Sequence, residues 1–375
     1  MSLVDFLVNY IVPFLILLTV VVFVHEMGHY WVARKNGVKV EVFSVGFGRE
    51  IVGFNDKNGT RWKLGLIPFG GYVKMFGDED AASTPDTSRE FTEAEKALSF
   101  HHKKLHQRAA IVAAGPLSNL LFAILVFAVL FMTVGQYSTP AVVGAVQPGS
   151  AAEAAGLKPH DRIASINGSS IQRFEEIQQI VRLGDGSTLA LQIDRDGSLL
   201  DVSITPVMTE MTDRFGNVQR TPLLGISAST AESHVVVLSP PAAIAESFHQ
   251  TWVVTSSTLS AVGQMISGKR DSSDLGGPLR IAKFSGEAAQ GGAANFITFI
   301  AVLSINLALI NLFPIPMLDG GHLLFYAIEG IIRRPLSERS QEYGFRIGLI
   351  LVLALFVFAT WNDLIHLKVF DFLKG

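Results

Sequence analysis

The chain contains no cysteine, which removes disulfide frameworks, thiolate zinc sites, cysteine nucleophiles and iron–sulfur clusters together. Any metal must be held by His, Asp or Glu. Charge is scarce as well: 17% of the 375 residues are Asp, Glu, Lys or Arg against 49% apolar, and the mean hydropathy is +0.37. That is too little charge for an ordinary soluble enzyme. The 30 Lys+Arg and 33 Asp+Glu nearly cancel, to a formal -3, so no basic field favours nucleic acid and no acidic tract suggests a disordered tail. Nucleic acid is excluded as a partner, and a lipid bilayer takes its place.

Long uncharged runs account for the hydropathy. Between Phe6 and Ala33 the only formally charged residue is Glu26; Ala109 to Val134 and Ala293 to Leu318 have none, and Ile347 to Trp361 is a shorter apolar run. These predict four transmembrane helices. A cleaved signal peptide is the alternative for the first, but Met1 to Asn9 lacks Lys and Arg, and the apolar run meets His25 rather than small cleavage-site residues. Arg34 to Arg108 carries 13 Lys/Arg, against 11 over the much longer stretch 136–290. The first loop, and the one holding Arg333, Arg334, Arg339 and Arg346, should therefore be cytoplasmic, with 136–290 and both termini exported. Spans one and three then both run inward.

The soluble stretches have their own periodicities. Val38 to Met75 alternates apolar and polar residues around Asn58-Gly59, which predicts cytoplasmic, membrane-associated β-hairpins whose free edge could pair with an extended substrate. Residues 141–207 predict a small exported α+β domain, with strands at Ala141 to Val146, Arg162 to Ile166, Leu189 to Ile193 and Leu200 to Ile204, a helix at Phe174 to Leu183 and a turn at Asp196-Gly197. Gly156-Leu157-Lys158-Pro159-His160-Asp161-Arg162-Ile163 with Ile166-Asn167-Gly168 resembles the signature of bacterial PDZ domains, which take up an extended peptide as an added strand. A structural spacer is the alternative. Ile244, Phe248, Trp252, Leu259, Val262 and Ile266 predict a helix at the membrane surface or a plain core helix.

The chemistry is concentrated in His25-Glu26-Met27-Gly28-His29, an H-E-x-x-H motif at the inner end of span one. On a helix, positions i and i+4 share a face, so both imidazoles can hold one zinc ion while Glu26 reaches a water on it. With 10 His and 17 Glu in the chain, chance supplies about 0.01 such motifs. Two His and a Glu in an apolar helix are costly unless paired or metal-bound. A catalytic zinc takes three protein ligands and leaves one position open. Asp319 is the candidate third ligand, a lone charge ending the run Asn311-Leu312-Phe313-Pro314-Ile315-Pro316-Met317-Leu318-Asp319-Gly320-Gly321-His322. Its prolines free backbone carbonyls at membrane depth. Spans one and three run the same way, so His25, His29 and Asp319 should meet near the cytoplasmic face. His322 is a weaker candidate for supporting the site, while His101, His102 and His106 read as solvated.

H-E-x-x-H in the first span with N-x-x-P-x-P-x-L-D-G in a later one resembles the site-2 protease family of intramembrane zinc metalloproteases. The order of parts is similar to its RseP-like bacterial branch: glycine-rich hairpins, Gly115-Pro116-Leu117-Ser118-Asn119 in span two, a single PDZ domain, Gly277-Pro278-Leu279-Arg280-Ile281-Ala282, then the Asp motif. The resemblance implies a polytopic α-helical membrane protein divided as 1–35, first transmembrane helix; 36–107, cytoplasmic β-hairpin region; 108–135, second transmembrane helix; 136–235, PDZ-like exported domain with an extension; 236–292, surface helix and linker; 293–332, third transmembrane segment; and 333–375, a loop and the fourth helix. It implies zinc on His25, His29 and Asp319, Glu26 as general base, and Asn311 beside the scissile backbone. Placement in a bacterial inner membrane also follows, with the PDZ domain in the periplasm. The implied substrates are single-span membrane proteins, in that branch an anti-sigma factor whose cleavage starts a stress response. The alternative is a catalytically silent scaffold recruiting clients through its PDZ domain, which would need neither Glu26 nor an intact ligand set.

Overall fold

The computed structural model of the chain describes residues 3–79, 90–184, 186–212, 218–229, 234–268 and 276–366. In chain order, α1 (Leu3–Phe6) and a π-helical turn (Leu7–Ile11) run into α2 (Val12–Lys35), then β1 (Val40–Asn55), β2 (Arg61–Met75), α3 (Glu93–Lys96) and α4 (Leu105–Thr133). Next come β3 (Gln136–Ser138), β4 (Val143–Val146), α5 (Ala151–Ala154), β5 (Arg162–Ile166), β6 (Ser169–Ser170), α6 (Phe174–Leu183), β7 (Leu189–Arg195) and β8 (Ser198–Ile204). The remainder is β9 (Val207–Thr212), β10 (Val218–Leu223), β11 (Ile226–Ala228), β12 (His234–Val236), α7 (Pro240–Ile266), α8 (Pro278–Gln290), α9 (Ala293–Leu312), α10 (Asp319–Ile332) and α11 (Glu338–His366).

Among the described residues, Val4–Lys35, Leu105–Thr133, Ala293–Leu312 and Arg339–Ile365 are helices long and apolar enough to cross a membrane. The fourth is nearly twice the expected apolar run, because the helix continues into polar sequence at its start. Part of the expected linker, Pro278–Gln290, is helix instead. Its mean hydropathy is low, so it carries no apolar run to announce it. Asp363 of α11, fully buried, accepts the N–H groups of Gly277 (2.9 Å) and Arg280 (3.0 Å) and so caps α8 across 86 residues of chain.

The chain divides into two compact units, the first being Met1–Ala128, Glu246–Thr255 and Leu275–Ile365. In it, Leu17 and Val21 of α2 pack with Ile300 of α9, joined by Phe122 of α4. Apolar packing against lipid gains little by itself, so close approach of backbones matters more. A Cβ at Gly28 of α2 would collide with the Ala114 carbonyl and the Ser118 hydroxyl of α4, which shows how near these helices lie.

The expected hairpins are one pair of long, bent strands. Val42 to Val45 pair with Lys74 down to Gly71 on one side and with Arg61 to Leu64 on the other, while Val52 to Asn55 pair with Leu64 down to Arg61. Two strands thus fill four sheet positions, in the order 71–75, 40–45, 61–64, 50–55. Phe43, Val40, Val73 and Met75 bury one end against Tyr30 and Ala33 of α2 and Ile111 of α4. Toward the other end Phe47, Ile51, Leu66 and Ile67 remain exposed, as do Val52 and Phe54 on the outer strand. The turn joining the two strands lies at the buried end and is closed by Asp56, whose carboxylate accepts the N–H groups of Asn58 and Thr60, the Trp62 indole and the Tyr30 hydroxyl of α2. Burial works against that charge, but these four donors outweigh it and bring its pKa down to about 2.

The second unit, Val129–Ala245, Ser256–Asp274 and His366–Gly375, holds the small α+β domain. Its sheet runs β6-β5-β7-β8, and β11 pairs with β4. Ile163, Ile166, Leu191, Ile193 and Ile204 from the sheet bury against Phe174, Ile177 and Val181 of α6. Asp196 and Gly197 join β7 to β8 with φ of 52° and 84°, the two positive values of a tight hairpin turn. His160 also takes a left-handed conformation, φ 73°. Arg195 closes the core by binding the buried Asp161 with Nε and Nη2, both at 2.7 Å. The chain enters and leaves through a clip, β3 paired with β12.

Candidate metal centre

His25 and His29 stand one turn apart on α2, their Nε2 atoms 3.2 Å from each other. Asp319 reaches them because α9 cannot continue: Pro314 and Pro316 have no N–H to give, Phe313 and Leu318 are extended, and Met317 is left-handed at φ 87°. Leu318 N–H bonds back to Ile315 O at 3.0 Å, closing the turn that starts α10 at Asp319. A Cβ at Gly320 would run into the carbonyls of Leu312 and Phe313, so only glycine lets the new helix begin this close to the old one.

Asp319 Oδ2 lies 3.1 Å from His25 Nε2 and Oδ1 3.5 Å from His29 Nε2. Ligand atoms about 2.0–2.1 Å from a tetrahedral zinc stand about 3.4 Å apart, and one donor atom from each of the three residues lies within 4.8 Å of the other two, close enough to converge on one such ion. Two further observations fit that ion. Among the described residues, Asp319 Oδ2 is buried with no donor in hydrogen-bond geometry. Gly115 of α4 leaves a cradle that a Cβ would fill, colliding with His29 Nε2 and with Cε1 of both rings. The donor set of two imidazoles and one carboxylate is a zinc set with a position left open.

The rings are held from behind by α4. His29 Nδ1 lies 2.9 Å from Ile111 O and donates to it, which leaves Nε2 bare and facing inward. His25 Nδ1 has the Asn119 amide 3.4 Å away. Asn119 is fully buried, and its backbone carbonyl accepts the Ser304 hydroxyl of α9 at 3.0 Å. Glu26, next along α2 and buried, projects beside the pair toward the sheet: a Cβ on Gly71 would press on its Cγ and on Val22.

The structure thus gathers His25, Glu26, His29 and Asp319. Asn311 is half-buried one residue before the end of α9, and its amide has no hydrogen-bond partner among the described residues. His322 is not in the donor set; its ring packs on Phe345, centroids 5.3 Å apart. His101 and His102 are not simply solvated: His101 Nε2 lies 2.9 Å from the buried carboxylate of Asp78, and His102 Nδ1 lies 3.0 Å from the Ser99 hydroxyl. The first contact pins the chain after β2 to the approach of α4, and the second is local to that approach. His106 is exposed. Sequence reading missed the supports, Ile111 O, Gly115 and Asn119. Their signal was the four-residue spacing, which puts all three on one helix face.

Residues 13–355 match the description of peptidase family M50. A protein of Agrobacterium fabrum named "Putative zinc metalloprotease" is 45% identical over 368 residues, spanning 97% of this chain and 98% of its own. One of Rhizobium meliloti with the same description is 45% identical over 361 residues, 95% of this chain and 96% of its own. Metalloprotease MmpA of Caulobacter vibrioides is 36% identical over 394 aligned residues, 97% and 98% of the two chains. Among solved structures, the PDZ domain of an SdrC-like protein from Listeria monocytogenes aligns with 25% of this chain and 90% of its own, at 19% identity and a TM-score of 0.21.

Proposed function

Since this chain belongs to peptidase family M50 and is a zinc metalloprotease, we propose that it hydrolyses a peptide bond within or beside the transmembrane helix of single-span membrane proteins. The observation that carries this reading is the convergence of His25 and His29, beside Glu26 on a helix apolar enough to cross a membrane, with Asp319 just beyond the end of another such helix, α9. His25, His29 and Asp319 would hold the ion. Zinc supplies Lewis acidity, lowering the pKa of a water and polarising a carbonyl. Glu26 accepts the proton of the attacking water and delivers it to the amide nitrogen as the C–N bond breaks, so one water is consumed and a carboxylate and an amine are released. Silent scaffolding, which would leave Glu26 without a task, gives way to this reading.

A helical substrate hides its carbonyls in its own hydrogen bonds, so it must unwind before attack. The strand edge at Gly71 to Met75 supports a place for it: it pairs on one side with residues 40–45, and Gly71 lies against Glu26. An extended substrate adding there would present its backbone to the base. The Asn311 amide, near the end of α9, would hold that backbone. The exposed Phe47, Ile51, Phe54 and Leu66 support a lipid-facing sheet. By the charge asymmetry of the loops, the catalytic residues lie toward the cytoplasm of a bacterial inner membrane and the small α+β domain in the periplasm. There it would act as a PDZ domain, screening the outer parts of substrates. Release of a cytoplasmic fragment, such as an anti-sigma factor's, is the output such a cut provides.

The test is reconstitution. Protein in liposomes, given a single-span substrate, should yield two fragments whose mass-determined junction falls within or next to the apolar helix, and a chelator should stop the reaction. A junction far outside that helix, or cleavage indifferent to the chelator, would contradict the reading.

A further inference from the structure

A histidine can hold a metal through Nε2 only when the proton rides on Nδ1, and that proton needs an acceptor. His29 has one in Ile111 O. Among the described residues, His25 Nδ1 has only the Asn119 side chain, with Nδ2 placed 3.4 Å away. In that orientation the amide donates, Nδ1 must be bare, and the proton is driven to Nε2, where the metal belongs. Among the described residues, the same orientation leaves Asn119 Oδ1 buried without any hydrogen bond, an unfavourable state for a polar atom. A half-turn of the amide exchanges its oxygen and nitrogen with no change of shape. Oδ1 then accepts from His25 Nδ1–H, and Nε2 is bare toward Asp319.

We infer that Asn119 is a positioning residue of the metal centre: through Oδ1 it fixes the tautomer and the ring orientation of His25. It rests on the metal reading of the site given above. One face of α4 then serves the whole pair, the Ile111 carbonyl for His29, Gly115 making room for both rings, and Asn119 for His25, at intervals of four residues. The Ser304 hydroxyl on the Asn119 carbonyl ties α9, which leads into the Asp319 turn, to the same point of α4.

The experiment measures zinc dissociation constants by chelator competition on detergent-purified full-length protein, with thermal midpoints recorded alongside. Asn119→Leu, with the same branching and number of side-chain heavy atoms but unable to accept, should bind zinc about 10–100-fold more weakly. Asn119→Asp, which keeps the acceptor, should bind as well as wild type or better. That rescue is what a merely packed asparagine would not give. Should Asn119→Leu fail to fold, Asn119→Ser, too short to reach the ring, takes its place with the same expectation. Wild-type affinity in the folded Leu or Ser variant overturns the inference and leaves the metal reading standing, as does an Asp variant no better than Leu. A wild-type protein that binds no zinc overturns both, and is told apart by that result alone.

Discussion

Replacing Gly115 with alanine adds one methyl group, and the structure says where it goes. The new Cβ would lie 2.6 Å from His29 Cε1 and 2.9 Å from His25 Cε1, as well as against His29 Nε2. Non-bonded carbons rest about 3.5–4.0 Å apart, so the rings or the two helices must separate by roughly 1 Å. Helix propensity pulls the other way, since alanine in a helix interior is favoured over glycine by about 0.8–1.0 kcal/mol. Propensity alone therefore makes Gly115→Ala neutral or stabilising, whereas the contact geometry makes it damaging to the metal site. Displacing a ligand by that much is worth about 10–100-fold in metal affinity, and a shift near 1 Å about 100-fold in turnover. The assay is zinc competition together with cleavage of a reconstituted single-span substrate. Gly263→Ala in α7, where no described atom lies within 4 Å of the added methyl, is the control and should change neither. If Gly115→Ala binds zinc within twofold of wild type and cleaves normally, the rings do not face α4 as described and the reasoning fails.

Other perturbations reach separate parts of the account. The double variant His25→Ala/His29→Ala should abolish zinc binding and Asp319→Asn should weaken it; full retention by the double variant would rule out this donor set. Asp56 has a pKa near 2 against an ordinary 3.8, so its charge stabilises the fold above about pH 4, and that contribution fades as pH falls through its folded value. Asp56→Asn should therefore melt several degrees below wild type at pH 7, with the gap closing toward pH 2; a gap independent of pH would refute the assignment. Replacing residues 141–228 with a flexible linker should let substrates with bulky exported domains be cut, without loss of a short one, because that domain is proposed to filter rather than to catalyse. Equal discrimination by both proteins would move the filter elsewhere, with α7 the next suspect. The replacement must extend to 228 because β11 pairs with β4 and Leu224 is in the domain core.

The histidine pair was legible because i, i+4 is a local rule, and Asp319 because one charge after a proline break in an apolar run has few bland explanations. Asn119 was not, since its partner is 94 residues away and a lone amide in a span looks the same whether it serves a ring or a neighbouring helix. Strand positions around Val38 to Met75 could be read from alternation, but not the bend that lets Val42 to Val45 pair on both edges, because pairing is a property of two segments. β11 is three residues long, too short to show a period, and exists through its ladder with β4. His101 looked solvated among lysines because its buried partner, Asp78, is 23 residues off.

The central claim is that His25, His29 and Asp319 bind zinc for a reaction in which Glu26 moves the proton. Zinc content and single-span substrate cleavage measured on the same preparation of Glu26→Gln test it most directly, since the amide keeps the shape of the carboxylate and cannot serve as a base. Glu26→Gln should bind about one zinc per chain, as wild type does, with turnover reduced by at least about 100-fold. Cleavage at the wild-type rate with zinc still bound would contradict it.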